Sequence, residues 1–251
     1  SITDGTSDTV TDRVTDFASA TVDITNDAAA GAPGSLGDGP GTNTALHTTA
    51  INPGASTNFS VFVKNTSGIV DNYNLQASAD NTFVTPLPSG WSVVFHAGTC
   101  AGPVVVNTGN IAAGASAAFC AVVTSAAAAT PGTTDVYLRS VSSVSGASDY
   151  KVDAVTINTI HDIAIDTIGA NQVAPSGTVT YTHHVTNLGN VTETNVPVSA
   201  TPGGNNFPVT LYYDANNNNI IDGGEGVISV IPSLTPGQSD RKSTRLNSSH
   251  I

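Results

Sequence analysis

The segment Pro53 to Asn65, PGASTNFSVFVKN, returns later in the chain as Pro175 to Asn187, PSGTVTYTHHVTN. Phe59 answers Tyr181, Val61 answers His183, Val63 answers Val185 and Asn65 answers Asn187, all at one constant offset. In each copy Pro and Gly break the chain, apolar residues then fall on every second position, and an Asn followed by Gly68 or Gly189 ends the run. Period-two alternation between breakers predicts a half-buried strand. Its recurrence predicts a chain assembled from copies of one unit.

The likeness extends outward from this segment. Residues 5–17, GTSDTVTDRVTDF, match residues 146–158, GASDYKVDAVTIN, so that Asp8 answers Asp149, Asp12 answers Asp153 and Val14 answers Val155. In the same frame Val22 and Ile24 answer Ile163 and Ile165. Residues 1–19 therefore read as the last strand of a preceding repeat, and residues 20–160 as one complete unit. The second unit, 161–239, follows the first as far as Leu234-Thr235-Pro236-Gly237, the counterpart of Ile111-Ala112-Ala113-Gly114. Residues 26–44, about 19 in all, are extra in the first unit and too rich in Gly, Ala and Pro to order themselves by burial, which predicts a surface loop.

Strands are expected at 20–25, 44–51, 57–64, 72–78, 91–96, 104–107, 117–124, 134–141 and 150–157, separated by turn signals at the spacing of a two-sheet sandwich. The alanine run 126–129, with Pro131 and Gly132 behind it, reads as a loop between strands. Only 10% of the residues are charged, while 24 glycines and 13 prolines punctuate the chain. No long stretch places Glu, Lys and Leu at helical spacing, so an all-β fold is expected.

Residues Asp240 to His250, DRKSTRLNSSH, depart from everything upstream. Arg241, Lys242 and Arg245 are three of the seven basic residues, and the peptide resembles one reading frame of a widely used sequencing adapter. Residues 240–251 are thus expected to be a non-native tail. The second unit would then lack its final strands and leave a strand edge and an apolar face open. With neither a Met nor a basic and apolar leader at Ser1, the chain is expected to be a piece from inside a longer protein.

Acidic residues outnumber basic ones 19 to 7, a formal charge of −12. Such a surface repels nucleic acid and anionic membranes, and it suits solubility or loose cation binding. No apolar run is long enough to span a bilayer.

The sharpest local signal is DANNNNIIDGGE, Asp214 to Glu225. Counting Asp214 as position one, Asn216 and Asn218 fall at three and five, the Ile220 carbonyl at seven, Asp222 at nine and Glu225 at twelve. A hard cation needs six or seven oxygens from a short folded loop, and this rhythm supplies them, which points to Ca2+. Asn219 stands where the usual pattern has Gly; Asn tolerates the left-handed backbone needed there. Strand-like flanks place the loop in a β-hairpin. The alternative reading is an Asn/Gly-rich turn without an ion.

Cys100 and Cys120 are the only cysteines. They are expected to form a disulfide, the other possibility being two buried free thiols. His183 takes the inward slot of Val61 while His184 points the other way, so the pair cannot chelate one ion from a strand. His47, His96 and His161 are scattered singly. Trp91 reads as a core anchor at a strand start; a sugar-stacking role would need exposed aromatic company, for which Tyr212 and Tyr213 are the candidates. There is no HExxH, GxSxG or phosphate loop, and Glu193 and Glu225 are the only glutamates, so no catalytic residues are assigned and no enzyme is expected.

NPGASTNFSVFVKNTSG, LPSGWSVVF and GNIAAGAS in the first unit, with VTYTHHVTNLGNVTETNV and LYYDANNNNIIDGGE in the second, resemble the tandem conserved-repeat domains of unknown function of bacterial surface and secreted proteins. They are also similar to bacterial cell-adhesion-related domains. The resemblance implies tandem immunoglobulin-like β-sandwich domains, the second one truncated, serving as spacers or adhesive stalks outside the cell. Partners would be neighbouring repeats of the same chain, with a surface glycan or protein as a further candidate. The competing expectation is a carbohydrate- or protein-binding accessory module of a larger secreted enzyme.

Overall fold

A computed structural model describes residues 21–27, 43–166, 172, 174, 177–201, 208–216, 218 and 220–247, with backbone alone over 241–247. The expected strand at 5–17 and most of the loop at 26–44 lie outside these residues. The described residues form strands and turns without helix, and none of their segments is a helix long and apolar enough to cross a membrane. The chain divides into two compact units, Ser1–Thr49 with Ser56–Ser125 and Thr134–Val155, and Ala50–Ala55 with Ala126–Thr133 and Thr156–Ile251.

The first sandwich contains β1 (Val22–Thr25), β2 (Thr48–Ile51), β3 (Ser56–Asn65), β4 (Tyr73–Ser78), β5 (Ser92–Ala97), β6 (Val104–Val105), β7 (Ser116–Thr124), β8 (Gly132–Ser142) and β9 (Ser148–Ile157). These are the nine strands that the turn spacing predicts, with ends shifted by a few residues. One sheet has the order β1-β3-β7-β5-β6 and the other β2-β9-β8-β4. In β3 the residues Phe59, Val61, Val63 and Asn65 are buried and alternate with Ser60, Phe62 and Lys64, as period two requires. Ile24, Val61, Val63, Val123, Val136 and Leu138 have no exposed surface. Each such side chain contributes about 1.5–3 kcal/mol by leaving water, and together they hold the sheets as one immunoglobulin-like β-sandwich.

In the second unit the strands are β10 (Ile163–Ile165), β11 (Thr178–Asn187), β12 (Glu193–Pro197), β13 (Val209–Tyr213), β14 (Val230–Leu234) and β15 (Ser239–Asn247). Their sheets have the orders β10-β11-β15-β13 and β12-β14. The two units share a register as well as an order. Ile24 opposes Val63 as Ile165 opposes Val185, and Lys64 opposes Ser116 as Thr186 opposes Ser239.

One side chain stitches this ladder in both copies. Asn65 Nδ2 donates to the carbonyls of Ile69 (2.7 Å) and Ile111 (2.9 Å). Asn187 Nδ2 donates to those of Val191 and Leu234, at 2.8 Å each. Both asparagines are fully buried. The carbonyl of each accepts the amide of a left-handed glycine, Gly114 or Gly237, both at φ 74°. That conformation carries no penalty only without a Cβ.

The segment expected as a non-native tail, 240–251, takes part in the sheet through its first residues: Ser239–Asn247 pairs on both sides, with β11 and with β13, in the station that β7 holds in the first unit. The reason is that a ladder is made by backbone donors and acceptors, which any non-proline sequence carries. Counterparts of β8 and β9 are absent among the described residues of this unit, so the second sandwich is the shorter one.

Candidate metal centre

The hairpin that carries the candidate loop closes at its base. Tyr212 bridges Val227, the Tyr213 amide donates to the Gly226 carbonyl (3.0 Å) and the Ile228 amide to the Leu211 carbonyl (3.1 Å). Between these rungs the chain turns through Asp214 to Glu225. Asn217 and Asn219, the latter at the position where Gly is usual, lie outside the described residues.

Hydrogen bonds tie the side chains of five of the six residues assigned as ligands into the loop. Asp214 is 1% exposed, and its Oδ1 accepts the Asn218 amide at 3.0 Å. Asn216 Oδ1 accepts that same amide at 3.0 Å, and Asn218 Oδ1 accepts the Ile220 amide at 2.8 Å. Asp222 Oδ2 takes the side-chain amides of Asn216 (2.8 Å) and Asn218 (3.2 Å). Its Oδ1 takes the Gly224 amide at 3.3 Å. Glu225 reaches back to the start of the loop, where Oε1 accepts the Ala215 amide at 3.1 Å. Its Oε2 is buried without a hydrogen-bond partner. The Ile220 side chain is exposed, which is compatible with the role assigned to its carbonyl alone.

The electrostatics follow from these bonds. The Asn216 side chain, and after it the Gly224 amide, hold the Asp222 carboxyl below its ordinary range. Amide hydrogens therefore neutralise a carboxylate that a cation could also neutralise, and the orphaned Glu225 oxygen supplies a further acceptor. Among the described residues, no group of three or more His, Cys, Asp or Glu is gathered tightly enough to hold a metal alone. A cation here would depend on amide and carbonyl oxygens for much of its shell, as a hard ion can.

The remaining residues singled out by sequence are dispersed. Cys100, in the turn after β5, is bonded to Cys120 of β7, with Cα atoms 5.0 Å apart. His184 Nδ1 lies 2.5 Å from Asp166, and His161 Nδ1 lies 2.7 Å from Glu193. His96 Nδ1 meets the Gly102 carbonyl at 2.7 Å. Trp91, expected as a core anchor at a strand start, stands just before β5, half-buried and outside the fully buried core, with its amide donated to the Pro88 carbonyl. Tyr212 and Tyr213 belong to the other unit.

Two features escape sequence reasoning. One is an aromatic cluster in the first unit, where Phe83 packs edge-on to Tyr150 at 6.2 Å, Tyr137 lies 6.0 Å from Tyr150, and Arg139 covers the Phe83 ring at 4.0 Å. The other is Lys151, which carries no exposed surface and stands between Asn26 and Asp153. The only sequence signal for it was a basic residue inside an otherwise strand-like alternation.

No protein-family model matches the chain, and no curated protein matches it. Solved structures similar to it include the CsuC–CsuE chaperone–tip adhesion subunit pre-assembly complex of Acinetobacter baumannii, at 12% identity and a TM-score of 0.35 over 80% of this chain and 91% of that one. A protein of unknown function from Porphyromonas gingivalis W83 matches at 14% identity and a TM-score of 0.27, over 80% of this chain and 78% of that one. A family 123 glycoside hydrolase from Clostridium perfringens matches at 13% identity and a TM-score of 0.32, covering 46% of this chain and 24% of its own length. At such scores these likenesses assign no activity, and the β-sandwich fold rests on the chain's own strand order.

Proposed function

We propose that this chain is a non-catalytic spacer from a bacterial cell-surface or secreted repeat protein, in which sandwich units act as beads of a stalk and a calcium ion stiffens the Asp214–Glu225 loop. The observation that carries the reading is one ladder built twice, with the same register and the same buried asparagine in both copies. Repetition of a unit at this fidelity serves length and stiffness, since each bead buries a core of its own. The Cys100–Cys120 bond suits an oxidising compartment outside the cytoplasm.

Calcium would be held by Asp214, Asn216, Asn218, Asp222 and Glu225 with the Ile220 carbonyl, and it would supply charge compensation and no reaction. With three carboxylates in the set, affinity falls on the order of 0.1–1 mM, as in extracellular modules. Isothermal titration of the purified chain is expected to give a saturable calcium signal in that range, abolished in Asp222→Ala. A flat titration at millimolar calcium would remove the ion from the account and leave the spacer.

The accessory-module reading has one specific observation behind it, the Phe83–Tyr137–Tyr150 cluster. Phe83 and Tyr137 each pack against Tyr150, and Arg139 covers the Phe83 ring, where a sugar-stacking platform needs open faces. Screening the chain on a glycan array distinguishes the two: no retention is expected, and retention lost in Phe83→Ala would overturn the spacer in favour of a binding module.

A further inference from the structure

On β9 the side chains of Asp149, Lys151, Asp153 and Val155 share one face, since alternate residues of a strand point the same way. That face meets β1, the edge strand of the other sheet. Asp149 Oδ2 accepts the Ile24 amide at 3.0 Å, which satisfies a backbone donor of that edge. Two residues on, Asp153 Oδ1 accepts Asn26 Nδ2 at 2.9 Å, while its Oδ2 holds Lys151 Nζ. Lys151 Nζ also lies against the side-chain amide of Asn26. Lys151 and Asp153 have no exposed side-chain surface, and Asn26 is 8% exposed.

The fold does not explain the lysine. In the repeat frame Asp149 and Asp153 answer Asp8 and Asp12, whereas Lys151 answers Val10. The unit can thus be written with an apolar residue in place of this lysine. Burying an ammonium costs several kcal/mol even when it is paired, so a reason beyond packing is needed.

We propose that Lys151 and Asn26 are joined by an intramolecular isopeptide bond, formed in the folded chain with Asp153 as the catalytic proton carrier. The geometry places the three reacting groups together in a dry site: a nucleophilic amine, an amide carbon and a carboxylate touching both. Burial pushes the Lys151 ammonium below its ordinary range against the opposing pull of Asp153, which favours the free amine that attack requires. Lys151 gives a proton to Asp153, and its Nζ lone pair attacks Asn26 Cγ. The tetrahedral centre reforms its carbonyl as the Cγ–Nδ2 bond breaks. Two protons pass through Asp153 from Nζ to Nδ2, so that a lysine ammonium and an asparagine amide become a secondary amide and an ammonium ion. Asp153 ends as the carboxylate it began as. No oxidant or reductant takes part.

The bond would join residues separated by 125 positions, one near the start of the first sandwich and one on its last strand. Force entering the unit before Asn26 and leaving after Lys151 would pass through it, and the chain between them would not extend. This holds by connectivity alone and stands whether or not the spacer reading does.

The test is the intact mass of the purified chain after disulfide reduction. The expected mass is below the sequence mass by one ammonia. Proteolysis and fragmentation are expected to yield one branched peptide containing Asn26 and Lys151, with Lys151 resistant to trypsin. Lys151→Met and Asn26→Ala should each restore their full sequence masses, and Asp153→Ala should leave Lys151 and Asn26 unlinked. A wild-type chain at full sequence mass that trypsin cleaves after Lys151 overturns the proposal, whatever the variants do. So does an ammonia loss that maps to a cyclised asparagine elsewhere.

Discussion

At the scale of single residues, the stability of each sandwich turns on Asn65 and Asn187. Each buried amide group donates to two carbonyls, at 2.7 and 2.9 Å for Asn65 and at 2.8 Å for both bonds of Asn187. Removing a buried partner costs about 1–3 kcal/mol for each group left unsatisfied, so Asn65→Ala is expected to lose about 2–4 kcal/mol in urea denaturation. A loss under about 0.5 kcal/mol would mean that the carbonyls find other donors. Gly102 is constrained differently: a Cβ there would meet the Ala97 carbonyl oxygen at 1.9 Å. Since that neighbour is backbone, Gly102→Ala should cost at least about 2 kcal/mol by the same measurement. The recurrence of Asn65 and Asn187 is legible in the sequence, but their work is not, because a strand-end Asn also has ordinary turn roles.

Strands are the most legible elements, because Phe59, Val61 and Val63 fall on every second position between a Pro-Gly breaker and an Asn with Gly68 close behind it. The β15 ladder is not, since Arg241, Lys242 and Arg245 carry no period-two apolar signal and the pairing lives in the backbone. The candidate calcium loop stands between these cases. Its oxygen spacing is explicit in DANNNNIIDGGE, but the hydrogen bonds from Asn216 and Asn218 to Asp222 are known only from the folded hairpin. Those bonds carry a pH prediction. Because the Asp222 carboxyl is held below its ordinary value, its contribution to loop order is complete above about pH 4, the unfolded range, and is lost as pH falls through the lower folded value. The Gly224 amide resonance is expected to shift only below about pH 4 in an NMR titration; a midpoint at or above that value would show that the network does not hold the carboxylate.

For the molecule as a whole, the two units differ in how much holds them. The first has a continuous core from Ile24 to Val155 and a disulfide, whose loop closure contributes about 3 kcal/mol. In the second, the described core is Val185, Ile231 and Leu234, with Val196 and Val198 packed against them. Unfolding should therefore not be two-state: the second unit is expected to lose its sheet at lower urea than the first. Trp91 is the only tryptophan and belongs to the first unit, so its fluorescence reports that unit alone, while far-ultraviolet circular dichroism reports both. The dichroism curve is expected to begin falling before the fluorescence changes, and reduction of Cys100–Cys120 should move the fluorescence midpoint down while leaving the earlier transition in place. Coincident curves that shift together on reduction would mean that the units unfold as one body, and the picture of separately stable beads would fail with them.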